Sequence, residues 1–187
     1  MNPSLTTSQL RKVFYLALSL WSIAIFVNVL TLLNIDVADS FPFVWGLHLG
    51  IFAIILPIIL SQAGNIKHQN TNKKQKLNLI SVFKGAPIWL PIIVVGSILY
   101  AIIGFFVFND GSLGGTADFR DGQYIVHNRG TFVKTITKEQ YHIYNAEVLQ
   151  GFSIVWIWFY GLGAAMLHKI IRMRKSSDEK SITNDIS

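Results

Sequence analysis

Four apolar runs dominate the 187-residue sequence, at residues 13–33, 43–60, 88–108 and 152–171. Each has about the length of apolar helix that crosses the hydrocarbon core of a bilayer, which is roughly 17–25 residues. Asp, Glu, Arg and Lys are absent from all four runs, apart from Lys169 near the end of the last. The runs therefore predict a single integral membrane domain, an all-α membrane protein built as a four-span transmembrane helix bundle.

The composition agrees with this prediction. Charged residues make up 14% of the chain, against about 25% in an ordinary soluble domain. A cleaved signal peptide is the alternative for the first run, because Arg11 and Lys12 precede it. Its apolar stretch exceeds the roughly 7–15 residues of a signal-peptide core, and no small-residue cleavage site follows. We therefore expect a retained first span. Because cysteine is absent, disulfides, thiol catalysis and zinc-thiolate sites are excluded.

The positive charges are distributed unevenly around the four runs. Short loops rich in Lys and Arg lie on the cytoplasmic side of membrane proteins. With both termini and the loop between the second and third runs inside, twelve of the sixteen Lys and Arg residues are cytoplasmic. This orientation places segment 109–150 outside, and residues 175–187, which lack an apolar pattern, are predicted to form a disordered cytoplasmic tail. The abundance of Lys, Asn and Ile suits an AT-rich bacterial genome, so the predicted location is the bacterial inner membrane.

Segment 109–150 is too long for a simple connection, since loops beyond about 12–15 residues usually have structure of their own. Its first part, 109–122, is rich in Gly and Asp and predicts turns. Residues 123–136 alternate around Asn128-Arg129-Gly130, which predicts a β-hairpin. A lone hairpin is only marginally stable in water. We therefore expect a small extracytoplasmic cap between the third and fourth spans, made of this hairpin and a helical extension.

The helical extension has a clear start. Thr137 and Gln140 have the spacing of a capping box. Apolar residues then follow at intervals of three and four from Tyr141 to Phe159, with no proline between them. The pattern predicts one helix over about 138–173, which rises above the fourth span. The residues expected to face the hairpin at Tyr124, Val126 or Ile125 are Tyr141, Tyr144 and Val148.

His48 is the exceptional side chain within the predicted spans. Ionisable residues inside a membrane usually have a function, and their near absence here argues against proton pumps and ion-coupled transporters. His48 lies within Gly46-x-x-x-Gly50, a spacing typical of closely packed helices. Two interpretations stay open: a histidine hydrogen-bonded between helices, and a ligand or proton site.

Other residues of the runs predict contacts between helices. Asn28 and Tyr100 are expected to form interhelical hydrogen bonds, and Trp21 is expected to pack between helices. Gly161-x-x-x-Ala165 is a second pattern of small residues that predicts a close approach.

The cap contains two histidines, His127 and His142. Both can meet across the cap near Asp118 or Asp121, but nothing in the spacing requires a metal site. No pair of histidines shares a depth in the spans, as a haem with two histidine ligands would need. We therefore predict no metal site, no cofactor and no catalytic residue. The candidate binding residues are His48, His127, Arg129 and His142.

Two functions of different classes follow from these features. The first is a non-enzymatic membrane protein whose cap binds or regulates a partner, although the cap could also serve only to cover the bundle. The alternative is a small transporter or membrane-enzyme subunit that works around His48 and Asn28. The expected partners are the lipid bilayer and either another membrane protein or a second copy of the chain. Nucleic acid is not an expected partner, because most of the basic residues flank the apolar runs.

Overall fold

The computed structural model describes residues 5–66, 88–108 and 115–186, and most of them are helical. The elements in chain order are helix α1 (Thr7–Leu32), the short helix α2 (Val37–Ser40), a 3-10 turn (Pro42–Trp45), helix α3 (Gly46–Ile66), helix α4 (Trp89–Phe108), strands β1 (Thr116–Arg120), β2 (Gln123–Asn128) and β3 (Thr131–Thr135), and helix α5 (Lys138–Ile186).

Three stretches of the described residues are helical, long and apolar enough to cross a membrane. They are Thr7–Leu32, Pro42–Ser61 and Lys138–Ser176. These stretches correspond to the first, second and fourth of the predicted runs, so the assignment to a helical membrane protein is confirmed to that extent. The run predicted at 88–108 forms α4, a helix of 20 residues.

Helix α1 begins at Thr7, before the apolar run at 13–33, because a capping box formed by Thr6 and Gln9 starts the helix there. The Thr6 backbone N–H donates to Gln9 Oε1 over 2.8 Å, and the Gln9 N–H donates back to Thr6 Oγ1 over 3.2 Å. These two bonds satisfy N–H groups that the first turn of a helix leaves unpaired. Asn34, which has a positive φ of 57°, follows the C-terminal end, where a left-handed residue commonly terminates a helix.

Helix α5 is one continuous helix of 49 residues, which corresponds to about 70 Å at 1.5 Å per residue. The predicted capping box is confirmed, since Thr137 N–H donates to Gln140 Oε1 and Gln140 N–H donates to Thr137 Oγ1. Gly151 does not interrupt the helix. The prediction of one long helix from the cap through the fourth apolar run is therefore confirmed.

The end of α5 differs from the sequence prediction. Residues 175–187 are expected to be disordered, but the helix continues to Ile186. No proline or glycine follows Gly163, so no strong terminator stops the helix.

The three strands form one antiparallel sheet in the order β1-β2-β3. Strands β2 and β3 are the predicted hairpin, which is confirmed. Arg129 and Gly130 form its two-residue turn, and both have positive φ angles, of 50° and 85°. A turn of this kind needs positive φ at both central residues, and glycine adopts such a conformation at little cost.

Strand β1 corrects the prediction of turns over 109–122. Thr116–Arg120 pairs along its whole length with β2, through a second two-residue turn at Asp121 and Gly122. Asp-Gly between alternating residues is one of the strongest local signals for a hairpin. Because the whole segment 109–122 is rich in Gly and Asp, its composition also predicts a loop, and this one Asp-Gly pair does not stand out within it. Residues 109–114 lie outside the described residues.

The described residues fall into two compact units. One contains residues 5–21, 49–66, 88–95 and 159–186, and the other contains residues 22–48, 96–108 and 115–158. In the first unit, Trp21 is buried and stacks on Trp89 with ring centroids 5.7 Å apart. Its expected packing between helices is confirmed.

Small residues of α5 permit close packing in the same unit. A methyl group on Gly161 would lie 2.8 Å from Val94 Cγ2, and Ala165 is fully buried. A methyl group on Gly50 would collide with the Tyr160 hydroxyl, whereas one on Gly46 would contact nothing within 4 Å. Close packing is therefore confirmed at Gly161 and Gly50, but not at Gly46.

Candidate functional site

The three strands and the first turns of α5, residues 115–148, are called the cap, and they share a small apolar core. Val126, Ile136 and Tyr144 are buried, and Ala117, Tyr124 and Tyr141 pack around them. The rings of Tyr124 and Tyr141 lie 5.0 Å apart. The predicted contacts of Tyr141 and Tyr144 with the hairpin are thus confirmed. Val148 does not belong to this core, since its side chain is 42% exposed.

The sheet face opposite this core carries a cluster of charged and polar side chains. Side chains alternate between the two faces of a strand, so Asp118, Arg120 and His127 lie on the side away from Val126. Arg120 Nε donates to Asp118 Oδ2 over 2.7 Å, and His127 Nε2 lies 3.7 Å from the same oxygen. The hydrogen bond from Arg120 and another from the Phe119 N–H lower the pKa of the Asp118 carboxyl group. Both side chains of this ion pair are exposed, so it contributes little to stability.

Strand β3 is the most exposed part of the cap. All five of its residues are exposed, and Phe132 and Val133 are 60% and 49% exposed. The strand order leaves the side of β3 away from β2 without a strand partner among the described residues. A free edge that carries apolar side chains is a template for pairing with another chain, and proteins usually protect such edges. This strand is therefore the strongest candidate for a binding surface.

Asp36 connects the segment after α1 to the cap, in an arrangement called here the Asp36 clasp. Its side chain is 4% exposed. Asp36 Oδ2 lies 3.1 Å from His142 Nδ1 and accepts a hydrogen bond of 3.2 Å from Asn145 Nδ2. Its other oxygen accepts from the Asp39 N–H and so caps α2. Buried carboxylates need such partners because burial without them is costly. The clasp therefore holds α5 to the first loop at two successive turns.

A second polar group continues along α5 from the clasp. Asn28 Nδ2 of α1 donates to Ser153 Oγ over 2.9 Å, and Gln150 Nε2 donates to the Tyr100 hydroxyl of α4 over 2.6 Å. Asn28, Gln150 and Ser153 are buried. The predicted interhelical hydrogen bonds of Asn28 and Tyr100 are confirmed. A bond of this kind between helices contributes about 0.6 kcal/mol on average and up to about 1.7 kcal/mol.

His48 also participates in a hydrogen bond between helices. Its Nδ1 accepts from Trp156 Nε1 over 3.3 Å, and its ring lies 5.8 Å from that of Phe152. Trp45 packs edge-on against both Phe152 and Trp156. The structural interpretation of His48 is therefore supported by an observed partner, which occupies one of its two ring nitrogens.

The four candidate binding residues do not form one site. His127 lies beside Asp118, Arg129 is in the turn between β2 and β3, His142 belongs to the Asp36 clasp, and His48 pairs with Trp156. His127 and His142 thus have different carboxylate partners rather than a shared one. Within the described residues, no group of three His, Asp or Glu side chains is placed to hold a metal ion.

Sequence reasoning missed the role of Asp36 and the exposure of β3. Asp36 is one of two aspartates between the first two apolar runs, where a carboxylate is ordinarily solvated. Asp36 immediately precedes α2, where aspartate commonly caps a helix, but its partners on α5 are 106 and 109 residues away. Comparison of the chain with models of protein families, with curated proteins and with solved structures found no match.

Proposed function

We propose that the chain is a small four-span protein of the bacterial inner membrane that binds a partner through its cap and is not an enzyme. Both termini are cytoplasmic in this proposal, and the cap is extracytoplasmic. In addition to the three candidate spans, α4 is proposed as a span, the third in chain order. It has 20 residues and no charged side chain, in keeping with the length that a span needs. The uneven distribution of Lys and Arg supports the orientation.

The exposure of β3 is the observation that carries the binding function. Phe132 and Val133 project from a strand on which every residue is exposed. Single exposed apolar residues are common, but adjacent ones on a free edge favour an interaction site. The apolar core and the Asp36 clasp hold this strand on α5, so its presentation is stable. The proposed partner is another polypeptide outside the cytoplasm.

Site-specific photocrosslinking in living cells tests this function. We expect benzoylphenylalanine at Phe132 or Val133 to form a discrete adduct with one protein, because both side chains would lie in the interface. The matched control is Asp121, which is exposed in the other turn of the same sheet. Two differently tagged copies of the chain, with mass spectrometry, distinguish a self-adduct from an adduct with another protein. Lipid adducts alone, or equal yields from Phe132 and Asp121, would contradict the proposal.

The alternative, a transporter or enzyme subunit built around His48 and Asn28, has less support. The Asn28 amide donates to Ser153, and His48 accepts from Trp156. Both side chains therefore have structural partners, which a substrate would have to displace at a cost. A phenotype lost on His48→Ala, but kept after substitution of Phe132 and Val133, would favour this alternative.

A further inference from the structure

The free edge of β3 combines unpaired backbone groups, positive charges and exposed apolar side chains. Backbone N–H and C=O groups of alternate residues in a strand point to opposite sides, so part of β3 offers unpaired groups on the side away from β2. Three cations accompany this edge: Arg129 in the preceding turn, Lys134 within the strand and Lys138 just after it. Phe132 and Val133 add exposed apolar surface between them.

We propose that this edge binds an extended, acidic and apolar peptide segment of a partner protein, which adds to the sheet as a fourth strand. The proposal rests on the proposed function and specifies the class of partner. Strand addition to a free edge is a common mode of peptide recognition, in which backbone hydrogen bonds give affinity and side chains give specificity. The cations near β3 attract a segment whose outward residues are Asp or Glu.

The opposite edge of the sheet differs in charge. Strand β1 and its turn carry Asp118 and Asp121 beside Arg120, and Arg120 is already paired with Asp118. An acidic strand is therefore repelled at β1 and attracted at β3. Because both edges belong to the same sheet, the charge difference decides which one the segment joins.

A second copy of this chain is a poorer occupant of the same edge. Antiparallel pairing of two β3 strands about Val133 would place Phe132 of each copy opposite Lys134 of the other, since the paired numbers then add to a constant. The same pairing brings Arg129, Lys134 and Lys138 of both copies to one interface. Like charges gathered at one interface repel one another. The same cations that attract an acidic segment thus disfavour self-association.

Binding of a synthetic peptide to the purified full-length chain in nanodiscs tests this inference. The probe is a fluorescent nine-residue peptide of alternating Glu and Val, and fluorescence anisotropy measures its dissociation constant. We expect a peptide with Lys in place of Glu to bind at least about tenfold more weakly, because its charges meet those of the edge. A peptide with proline in place of its central Val should also bind at least about tenfold more weakly, since proline lacks the N–H that pairs strands.

Variants of the chain locate the site. Lys134→Glu is expected to weaken binding of the acidic peptide about tenfold or more, whereas Arg120→Glu on the opposite strand should leave it unchanged. Backbone amide exchange of each variant shows that the cap remains folded. Equal binding of the Glu and Lys peptides, or an unchanged affinity after Lys134→Glu, would overturn the inference. If Phe132 still crosslinks to a protein in cells, such a result leaves the proposed function standing, whereas absence of crosslinks contradicts the function itself.

Discussion

Asp36→Ala is expected to destabilise the attachment of α5 to the first loop by about 3 kcal/mol. The substitution removes the carboxylate that His142 and Asn145 contact, and it leaves their polar atoms without that partner. Hydrogen bonds to a charged group contribute about 1.5–3 kcal/mol each. When one partner is removed, the other stays buried without its hydrogen bond, which adds a further cost. His142 is partly exposed, which keeps the loss toward the lower end of the combined range.

Thermal unfolding in detergent and amide exchange from His142 to Gln150 measure this effect. We expect a lower Tm and faster exchange in the first turns of α5. Asp39→Ala is the matched control, because Asp39 is a nearby aspartate whose side chain is exposed. Equal effects of the two substitutions would show that the negative charge of the loop, rather than the clasp, stabilises this region.

Tyr144→Asp is expected to detach the sheet from α5. The Tyr144 ring is buried with Val126 and Ile136, and Lys134 Nζ lies 5.7 Å from its centre. Loss of a buried aromatic side chain costs about 3–5 kcal/mol, and the small core of the cap has few other apolar contacts to compensate. Because a new aspartate could pair with Lys134, Tyr144→Ala serves as a second variant that loses the same packing without adding a charge.

Hydrogen exchange of the backbone amides from Gln123 to Thr137 measures the outcome. Both variants should accelerate exchange there, while exchange in α1 and α3 remains slow. Val148→Asp lies one turn further along α5 at an exposed position and should have little effect on the sheet. Unchanged exchange in the Tyr144 variants would mean that other contacts hold the cap together.

The elements with local signals could be predicted from the sequence. The capping box at Thr137, the absence of proline up to Phe159 and the Asn-Arg-Gly turn each involve residues within a few positions of one another. Helix propensity and turn geometry act over this distance, so the long helix and the hairpin follow from the sequence. The packing of Tyr141 and Tyr144 on Tyr124 follows as well, because the sheet has few other apolar surfaces to cover.

The remaining features depend on contacts that no local pattern specifies. The partners of Asp36 lie more than one hundred residues away, and a carboxylate in a polar loop resembles a solvated charge. His127 lies on β2 and His142 on α5, and the fold gives them different aspartates. The exposed edge at β3 depends on the order of the strands. The sequence predicts only the hairpin of β2 and β3, whereas in the structure β1 pairs with the other side of β2 and leaves β3 at the edge of the sheet.

The accessibility of the cap from outside the cell tests the central claim most directly. The chain has no cysteine, so single cysteines can be introduced as Arg129→Cys in the cap and as Lys76→Cys between the second and third apolar runs. Intact cells are treated with a membrane-impermeant maleimide, and a second sample is treated after lysis. The proposed orientation predicts labelling at position 129 in intact cells and labelling at position 76 only after lysis. Labelling of position 76 in intact cells, with position 129 protected until lysis, would contradict it.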